Sequence, residues 1–137
     1  MNTKKAHWIA KPTKIKTTLH SFSYASENKH SVFFILPENG EMKLTCRGNA
    51  KIAFVLMHTP DEFIVFRNDE AIIIFGGIKE HVPIVRDDTI TLNKEREKLS
   101  FFSSGKLLLT IEKEAFAASS SFGVSSEGEG DVYIEVF

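Results

Sequence analysis

The sequence is poor in the features that build disulfide-linked or membrane-anchored proteins. Its one cysteine, Cys46, excludes an intramolecular disulfide framework. It has no apolar run of signal-peptide or transmembrane type. These absences predict an intracellular protein, cytoplasmic or nuclear, that lies in a reducing compartment and does not associate with membranes.

The sequence also lacks an excess of charge of either sign, because its formal net charge is −1. This balance excludes a generic nucleic-acid binder and a highly acidic solvating protein. Charge is nevertheless uneven along the chain, since the lysines of residues 1–16 precede the first acid, Glu27.

The basic leader, residues 1–16, is open to three interpretations. Lys4, Lys5 and Trp8 could dock onto a partner groove, and only through this leader do we expect contact with nucleic acid. Alternatively, Trp8 packs the leader onto the folded domain as an extra edge strand, which Pro12 and the lysines would protect. A flexible leader is the third interpretation. We favour the edge strand over the docking element, because the edge of a sheet favours being covered.

Short segments of extended chain are what the sequence has in abundance. SVFFIL (residues 31–36) ends at a Pro-Glu-Asn-Gly turn, and EMKLTC (residues 41–46) alternates apolar and polar residues. AKIAFVLM (residues 50–57) has apolar side chains at both alternating sets of positions, which predicts a strand that is covered on both faces. Twelve phenylalanines make this residue the main source of core volume.

The stretch EFIVFRNDEAIIIFGG (residues 62–77) places two apolar runs around a charged tip. The tip could be a ligand site or the bend of a hairpin. Asn68 and Asp69 are common turn formers, and the two runs lie at hairpin spacing. We therefore predict a hairpin with its bend at residues 67–70.

The segments together predict an all-β protein. About ten short strands are separated by polar turns, and no sustained helical stripe is present. The absence of alternating strand and helix patterns excludes a parallel, doubly wound sheet. We predict one antiparallel, jelly-roll-like β-sandwich over residues 17–137. A helix over residues 111–118 is left open, because Glu, Lys and Ala favour it.

Three blocks of sequence, in order, carry a resemblance to a known family. They are MKLTCRGNAKIAFVL, DEFIVFRNDEAIIIFGG, and KLLLTIEKEAF followed by SFGVSSEGEGDVYIEVF. This arrangement resembles the farnesoic acid O-methyltransferase-like domain, which has a concanavalin A-like sandwich. It is also similar to the wider set that includes galectins, whose chains often end in a strand like Gly130-Asp131-Val132. The resemblance covers about two thirds of the chain, residues 41–137, and implies a recognition module.

The sequence departs from both families at the residues that would carry their chemistry. Galectin-like sugar binding uses His, Asn and Arg with a tryptophan that stacks on the sugar. Here His58 is followed by Pro60, and the one tryptophan is Trp8, in the leader. No Gly-x-Gly-x-Gly turn is present to hold a nucleotide cofactor, so we expect no cofactor.

Candidate catalytic and metal-binding residues are scattered. The five histidines show no His-x-His or His-Glu-x-x-His spacing, so a metal site would need distant strands. Cys46 is interpreted as a small buried apolar residue and not as a nucleophile. Glu127, Glu129 and Asp131 could bind calcium, but acidic turns of this kind are ordinary.

These observations predict a non-enzymatic interaction module. It would bind a protein partner, or associate with itself, through a sheet face or a sheet edge. The alternative is a lectin-like, carbohydrate-binding domain with its site on the concave sheet. The residues predicted for that alternative are His58, Arg67, Asn68 and Glu80.

Overall fold

The structure is a computed structural model, which describes residues 6–36, 38–56, 62–116 and 120–136. Its strands form two seven-stranded sheets, here named sheet A and sheet B, in which all neighbouring strands are antiparallel. No helix within the described ranges is long and apolar enough to cross a membrane. The two sheets pack face to face, which confirms the predicted antiparallel sandwich.

Sheet A is built from seven strands, and some strands that are neighbours in the sheet are far apart in the sequence. Across the sheet they are β1 (His7–Ile9), β4 (Lys29–Leu36), β13 (Ser120–Glu127), β6 (Lys51–Leu56), β7 (Phe63–Phe66), β8 (Glu70–Phe75) and β9 (Ile78–Pro83). The last four are consecutive in the chain and form a meander. β13 comes from near the end of the chain and separates β4 from β6, which is a non-local pairing typical of jelly rolls.

Sheet B is assembled in the same manner. Across the sheet its strands are β12 (Lys106–Glu112), β11 (Lys98–Ser103), β10 (Thr89–Glu95), β5 (Asn39–Gly48), β14 (Gly130–Val136), β3 (Ser21–Ser26) and β2 (Ile15–Thr17). A short 3₁₀ helix, Glu114–Phe116, follows β12. Strand β14 lies between β5 and β3 in sheet B, and the preceding strand, β13, lies between β4 and β6 in sheet A, so these two consecutive strands belong to different layers.

Phenylalanine rings fill the space between the sheets, as the composition indicates. Phe54 and Phe66 of sheet A contact Phe101 of sheet B, with ring centroids 5.3 Å apart in each case. Phe54 and Phe66 also meet edge to face at 5.6 Å. Each of these rings is at most 2% exposed. Burying a side chain of this kind contributes roughly 1.5–3 kcal/mol relative to leaving it in water.

The end of the sandwich at the β10–β11 turn is closed by a buried lysine. Lys94 is fully buried, and its Nζ donates hydrogen bonds to the carbonyl oxygens of Glu38 (3.0 Å) and Arg96 (2.8 Å). Burial lowers the pKa of Lys94, while Glu38 opposes that change. The carbonyl oxygens of Glu38 and Arg96 therefore satisfy the buried ammonium group of Lys94.

Residues of the basic leader form one of the two edge strands of each sheet, β1 in sheet A and most of β2 in sheet B. β1 pairs with β4, and Trp8 packs edge to face on Phe22 (5.7 Å) and Tyr24 (5.3 Å). β2 pairs with β3 on the other sheet. The buried His30 ring ties the leader down, because its Nδ1 lies 2.6 Å from the carbonyl oxygen of Ala10.

The structure corrects the predicted strand number, because the described residues form fourteen strands and not about ten. The additional strands include β1 and β2, of three residues each, and the six-residue β9, all of which lie at sheet edges. The predicted hairpin is confirmed, with the Arg67 N–H donating to the Glu70 carbonyl oxygen at 2.8 Å across its bend. The helix that was left open over residues 111–118 does not form at its start, because β12 continues to Glu112. Glu114–Phe116 form a 3₁₀ helix, and residues 117 and 118 lie outside the described residues.

Candidate functional site

The outer faces of the two sheets differ sharply in chemistry. The outward side chains of sheet B are mostly polar, as Ser23, Thr45, Tyr133 and Thr89 show along one row across four strands. The outward side chains in the middle of sheet A are mostly apolar. We call this surface the apolar face, and it consists of Phe33, Ala53, Val55, Phe63, Val65, Ile72, Ile74 and Gly123.

The register of sheet A aligns these residues in two rows. Gly123 pairs with both Phe33 and Val55, and Val55 pairs with Phe63. The next row runs from Ser125 through Ala53 to Val65 and Ile72. A depression of about 370 Å³ lies over this part of the sheet, a size within the range of ligand sites.

A charged row borders the apolar face at one end. Glu127 pairs with Lys29 on one side and with Lys51 on the other, so opposite charges alternate across three strands. All three residues line the depression together with apolar neighbours. An apolar centre with a polar border is the organisation of protein interfaces.

Beyond this row, a cleft opens at the end of the sandwich. It lies among the β5–β6 turn, the β7–β8 bend and the segment 84–88, which joins β9 to β10. The turn is tight, because a β-carbon on Gly48 would lie 3.0 Å from the Cα of Gly130 and because φ of Gly48 is +105°. The Asn49 N–H also donates to the Glu129 carbonyl oxygen at 3.0 Å. Glycine is therefore needed for the turn that forms this wall.

This end cleft has a volume of about 320 Å³ and combines charged, amide and apolar side chains. Its described lining consists of Cys46, Gly48, Asn49, Ala50, Lys51, Val65, Phe66, Arg67, Asn68, Arg86 and Asp88. Lys51 and Val65 line both the end cleft and the depression over the apolar face. The two features are therefore one continuous surface.

Arg86 is held in the end cleft by three hydrogen bonds to carbonyl oxygens. Its Nε donates to the carbonyl oxygen of Arg67 (2.9 Å), and its terminal nitrogens donate to those of Asp87 (2.8 Å) and Phe66 (3.4 Å). The guanidinium thus fixes the end of β7 against the segment 84–88. Burial lowers the pKa of Arg86, and the nearby carboxylates of Asp88 and Asp87 oppose that change. The group stays charged, because arginine does not deprotonate in proteins.

The segment that carries Arg86 is itself held in place by Asp87. The Asp87 carboxylate accepts hydrogen bonds from the Ser104 hydroxyl, from the Thr89 N–H at 2.8 Å and from the Ser103 hydroxyl at 2.9 Å. These hydrogen bonds lower the pKa of Asp87, and the bond from Ser104 has the largest effect. The segment that carries Arg86 is therefore hydrogen-bonded to Ser103 and Ser104, where β11 ends and the β11–β12 turn begins.

Cys46 lies at the floor of the end cleft and is buried. Burial raises the pKa of its thiol, while Arg86 acts in the opposite direction. Its sulfur lies 3.8 Å from the carbonyl oxygen of Ala50, a weak hydrogen bond. A protonated, covered thiol is a poor nucleophile.

The structure brings together two of the four residues predicted for sugar binding. Arg67 and Asn68 both line the end cleft. Glu80 lies on the edge strand β9 opposite Ile73 and does not belong to the lining. His58 lies outside the described residues, as do Lys4 and Lys5 of the predicted partner-binding set. Trp8, the third member of that set, is half-buried against the core.

Neither Arg86 nor the apolar face is singled out in the sequence analysis. Arg86 lies in a segment that has no recognisable strand pattern, so nothing marks it as a neighbour of the hairpin bend. The apolar face had a signal in the double-sided apolar character of residues 50–57. That pattern was interpreted as a strand covered on both faces, whereas here one of its faces is the outer surface of the sandwich.

Solved structures of several proteins have a similar fold. The TRIM65 PSpry domain gives a TM-score of 0.62 at 9% identity over 90% of this chain and 82% of that chain. The carbohydrate binding module CBM66 from Bacillus subtilis gives 0.53 at 12% identity over 93% and 94%. The Bacillus licheniformis beta-glucanase gives 0.54 at 9% identity over 99% and 91%. These similarities support a concanavalin A-like, jelly-roll sandwich.

No protein-family model matches the sequence, and no curated protein matches it. At identities of 9–12%, the similar structures establish the fold alone. The resemblance to the farnesoic acid O-methyltransferase-like domain therefore stays a prediction.

Proposed function

We propose that this protein is a non-enzymatic interaction module that binds a polypeptide partner on the apolar face of sheet A. The observation that carries the proposal is the contrast between the two outer faces. One outer sheet surface is mostly polar, whereas the middle of the other is apolar and has a charged border. Its apolar side chains are half-buried, except that Ile72 and Gly123 are buried. Apolar surface that a fold leaves accessible in one contiguous area is typical of interaction sites.

The side chains of the apolar face suit a protein interface. Phe33 and Phe63 supply aromatic area, which is enriched at interface centres, and Val55 and Val65 fill the space beside them. Each Å² of apolar surface removed from water contributes about 25 cal/mol. Lys29 and Glu127 at the border would orient the partner more than they add affinity.

The charged groups near this surface favour binding over hydrolysis. Glycoside hydrolysis uses a pair of carboxyl groups that flank the scissile bond. The described lining of the depression includes one carboxylate, Glu127, and that of the end cleft includes one, Asp88. Cys46 is covered and its thiol pKa is raised, which disfavours nucleophilic catalysis.

The proposal is tested by affinity capture with three immobilised forms of the chain. The native chain is compared with Phe63→Ser, which places a hydroxyl in the apolar face, and with Tyr133→Ser on the outer face of sheet B. We expect the native chain and Tyr133→Ser to retain the same polypeptide in similar amounts. We expect Phe63→Ser to retain less of it, by about tenfold or more. Equal retention by all three forms contradicts the proposal, provided that thermal unfolding shows each variant to be folded.

Self-association through the same face has a separate signature. If the partner is a second copy of this chain, we expect the molar mass of the native chain to rise with concentration in light scattering. The molar mass of Phe63→Ser is then expected to stay at the monomer value. Mass that rises equally in both forms would place the contact elsewhere, for example at the edge strand β9.

Carbohydrate binding is the second candidate, and the end cleft favours it. The amides of Asn49 and Asn68 and the guanidinium of Arg67 lie beside the apolar Val65 and Ala50, a combination that suits sugar hydroxyls and a sugar face. Glycan-array binding that Arg67→Ala abolishes and that Phe63→Ser leaves intact would select this candidate instead.

A further inference from the structure

The residues that line the end cleft include more cations than carboxylates. Among its described lining residues, Lys51, Arg67 and Arg86 are cationic and Asp88 is the one carboxylate. At the opposite end of β10, the buried cation of Lys94 is fully enclosed by carbonyl oxygens, as described above. The end cleft differs because it is open to solvent and its cations surround a space.

Arg86 has donors to spare and is already held in position. A guanidinium carries five N–H groups, and the bonds to the carbonyl oxygens of Arg67, Asp87 and Phe66 use three of them. Within the described part of the chain, no carboxylate forms an ion pair with it. A fixed guanidinium with unused donors binds a planar anion at little entropic cost.

The other two cations of the end cleft, Lys51 and Arg67, lie on its solvent-exposed side. The Arg67 side chain is 61% exposed, and its contact with Glu70 is a long one of 3.5 Å. An exposed pair of this kind is weak, so Arg67 is free to turn toward a ligand. Lys51 lies at the junction with the apolar face, whose lining it shares.

We infer that the end cleft binds a carboxylate group and that, if the proposed function holds, this carboxylate belongs to an acidic side chain of the polypeptide docked on the apolar face. The planar carboxylate matches the two-donor geometry of a guanidinium. Asp88 disfavours a doubly charged phosphate, because a second negative charge would add repulsion within the same space. The shared Lys51 and Val65 connect the acidic side chain to the apolar contacts of the same segment.

Nuclear magnetic resonance titration tests the site without the partner. Sodium acetate, the carboxylate alone, is added to the ¹⁵N-labelled chain, with sodium chloride at equal ionic strength as the control. We expect acetate to shift the amide signals of Asn49 and Asn68 and the side-chain Nε–H signal of Arg86, whereas chloride leaves them in place. Equal shifts with chloride overturn the inference, because they reflect screening only.

A matched pair of arginine variants tests the chemistry. Arg67→Ala removes one exposed arginine of the end cleft, and Arg96→Ala removes an exposed arginine that pairs with Glu38 at the other end of the sandwich. We expect Arg67→Ala to weaken acetate binding by about tenfold, the loss of one charge-assisted hydrogen bond, and Arg96→Ala to leave it unchanged. Equal weakening in both variants overturns the site.

Three further probes identify the source of the anion. We expect N-acetyl-aspartate to bind the end cleft at least as tightly as inorganic phosphate and glucuronate. Tighter phosphate binding overturns the choice of a carboxylate, and tighter glucuronate binding overturns its assignment to a polypeptide. The Phe63→Ser variant keeps the acetate site intact, so failure of the partner experiment and failure of this titration are separate results.

Discussion

The ring of Phe33 lies directly across Gly123 of the neighbouring strand. A β-carbon at position 123 would lie 2.5 Å from Cε1 of Phe33 and 2.7 Å from its Cδ1, well inside van der Waals contact. The two residues are paired in the register of β4 and β13, in the row of the apolar face that continues through Val55 to Phe63. The absence of a side chain at position 123 therefore determines how flat this part of the surface is.

Substituting Gly123→Ala is expected to displace the Phe33 ring toward solvent. The cost is about 1 kcal/mol, at the low end for overpacking, because the ring lies at the surface and can rotate away. Urea unfolding measures the cost, and the same change combined with Phe33→Leu provides the control. We expect the double variant to be more stable than the sum of the two single effects predicts. Strict additivity would mean that the two side chains do not compete for this space.

The stability of the fold should decrease at alkaline pH because of Tyr24. Burial raises the pKa of Tyr24 from 10.0 to about 12, while its hydrogen bond with Ser126 (2.8 Å) acts in the opposite direction. The folded state thus holds the phenolic proton more tightly, so its stabilisation is fully present below pH 10 and is lost as pH rises through about 12. The full loss is roughly 2–3 kcal/mol.

Matched tyrosine variants isolate that effect. Urea unfolding across the alkaline range is compared for the native chain, Tyr24→Phe and the exposed Tyr133→Phe. We expect Tyr24→Phe to be less stable at neutral pH by about 1 kcal/mol, from the lost hydrogen bond, and to lack the tyrosine-dependent decrease. Parallel curves for the native chain and Tyr24→Phe would contradict the raised pKa.

The leader should detach from the sandwich when His30 is truncated. His30 lies between the Ala10 carbonyl oxygen and the N–H of Glu27, which donates to its Nε2 at 3.1 Å. His30→Ala leaves both groups without this partner, at a cost of roughly 1–3 kcal/mol. The fluorescence of Trp8, the one tryptophan, reports the result directly.

We expect the emission of Trp8 to shift to longer wavelength in His30→Ala, and amide exchange in β1 to accelerate. The control is His81→Ala, because His81 is exposed and pairs with Glu70 on the far edge of sheet A. Unchanged emission in His30→Ala would show that the β1–β4 pairing and the contacts of Trp8 with Phe22 and Tyr24 hold the leader without His30.

The sequence predicted the sandwich because alternation reports local backbone geometry. Segments such as residues 41–46 bury every second side chain whatever strand they pair with. The three-residue strands β1 and β2 are too short to show alternation, and β9 is exposed along almost its entire length. Their formation depends on a sheet edge that is already present, so the sequence contained little local signal for them.

The sequence predicts only part of the candidate site. Arg67 and Asn68 are predicted as candidate ligand-binding residues because they lie between two apolar runs. Arg86 reaches the same cleft through the packing of segment 84–88, where the Ile84 N–H donates to the Asp69 carbonyl oxygen at 3.1 Å and the Cys46 N–H to that of Asp88 at 3.0 Å. Such contacts are set by the order of strands in two sheets, which no local pattern encodes.

Site-directed photo-cross-linking tests the central claim most directly. Ser125→Cys and Tyr133→Cys are each labelled with a benzophenone maleimide, which we expect to leave the buried Cys46 unmodified. Ser125 pairs with Ala53 and lines the depression over the apolar face, so the label leaves Phe33 and Phe63 in place. Each labelled chain is then irradiated in an extract of the source cells. The account predicts a covalent polypeptide adduct from position 125 and little or none from position 133. Adducts of equal yield from both positions, or an adduct from position 133 alone, would contradict it.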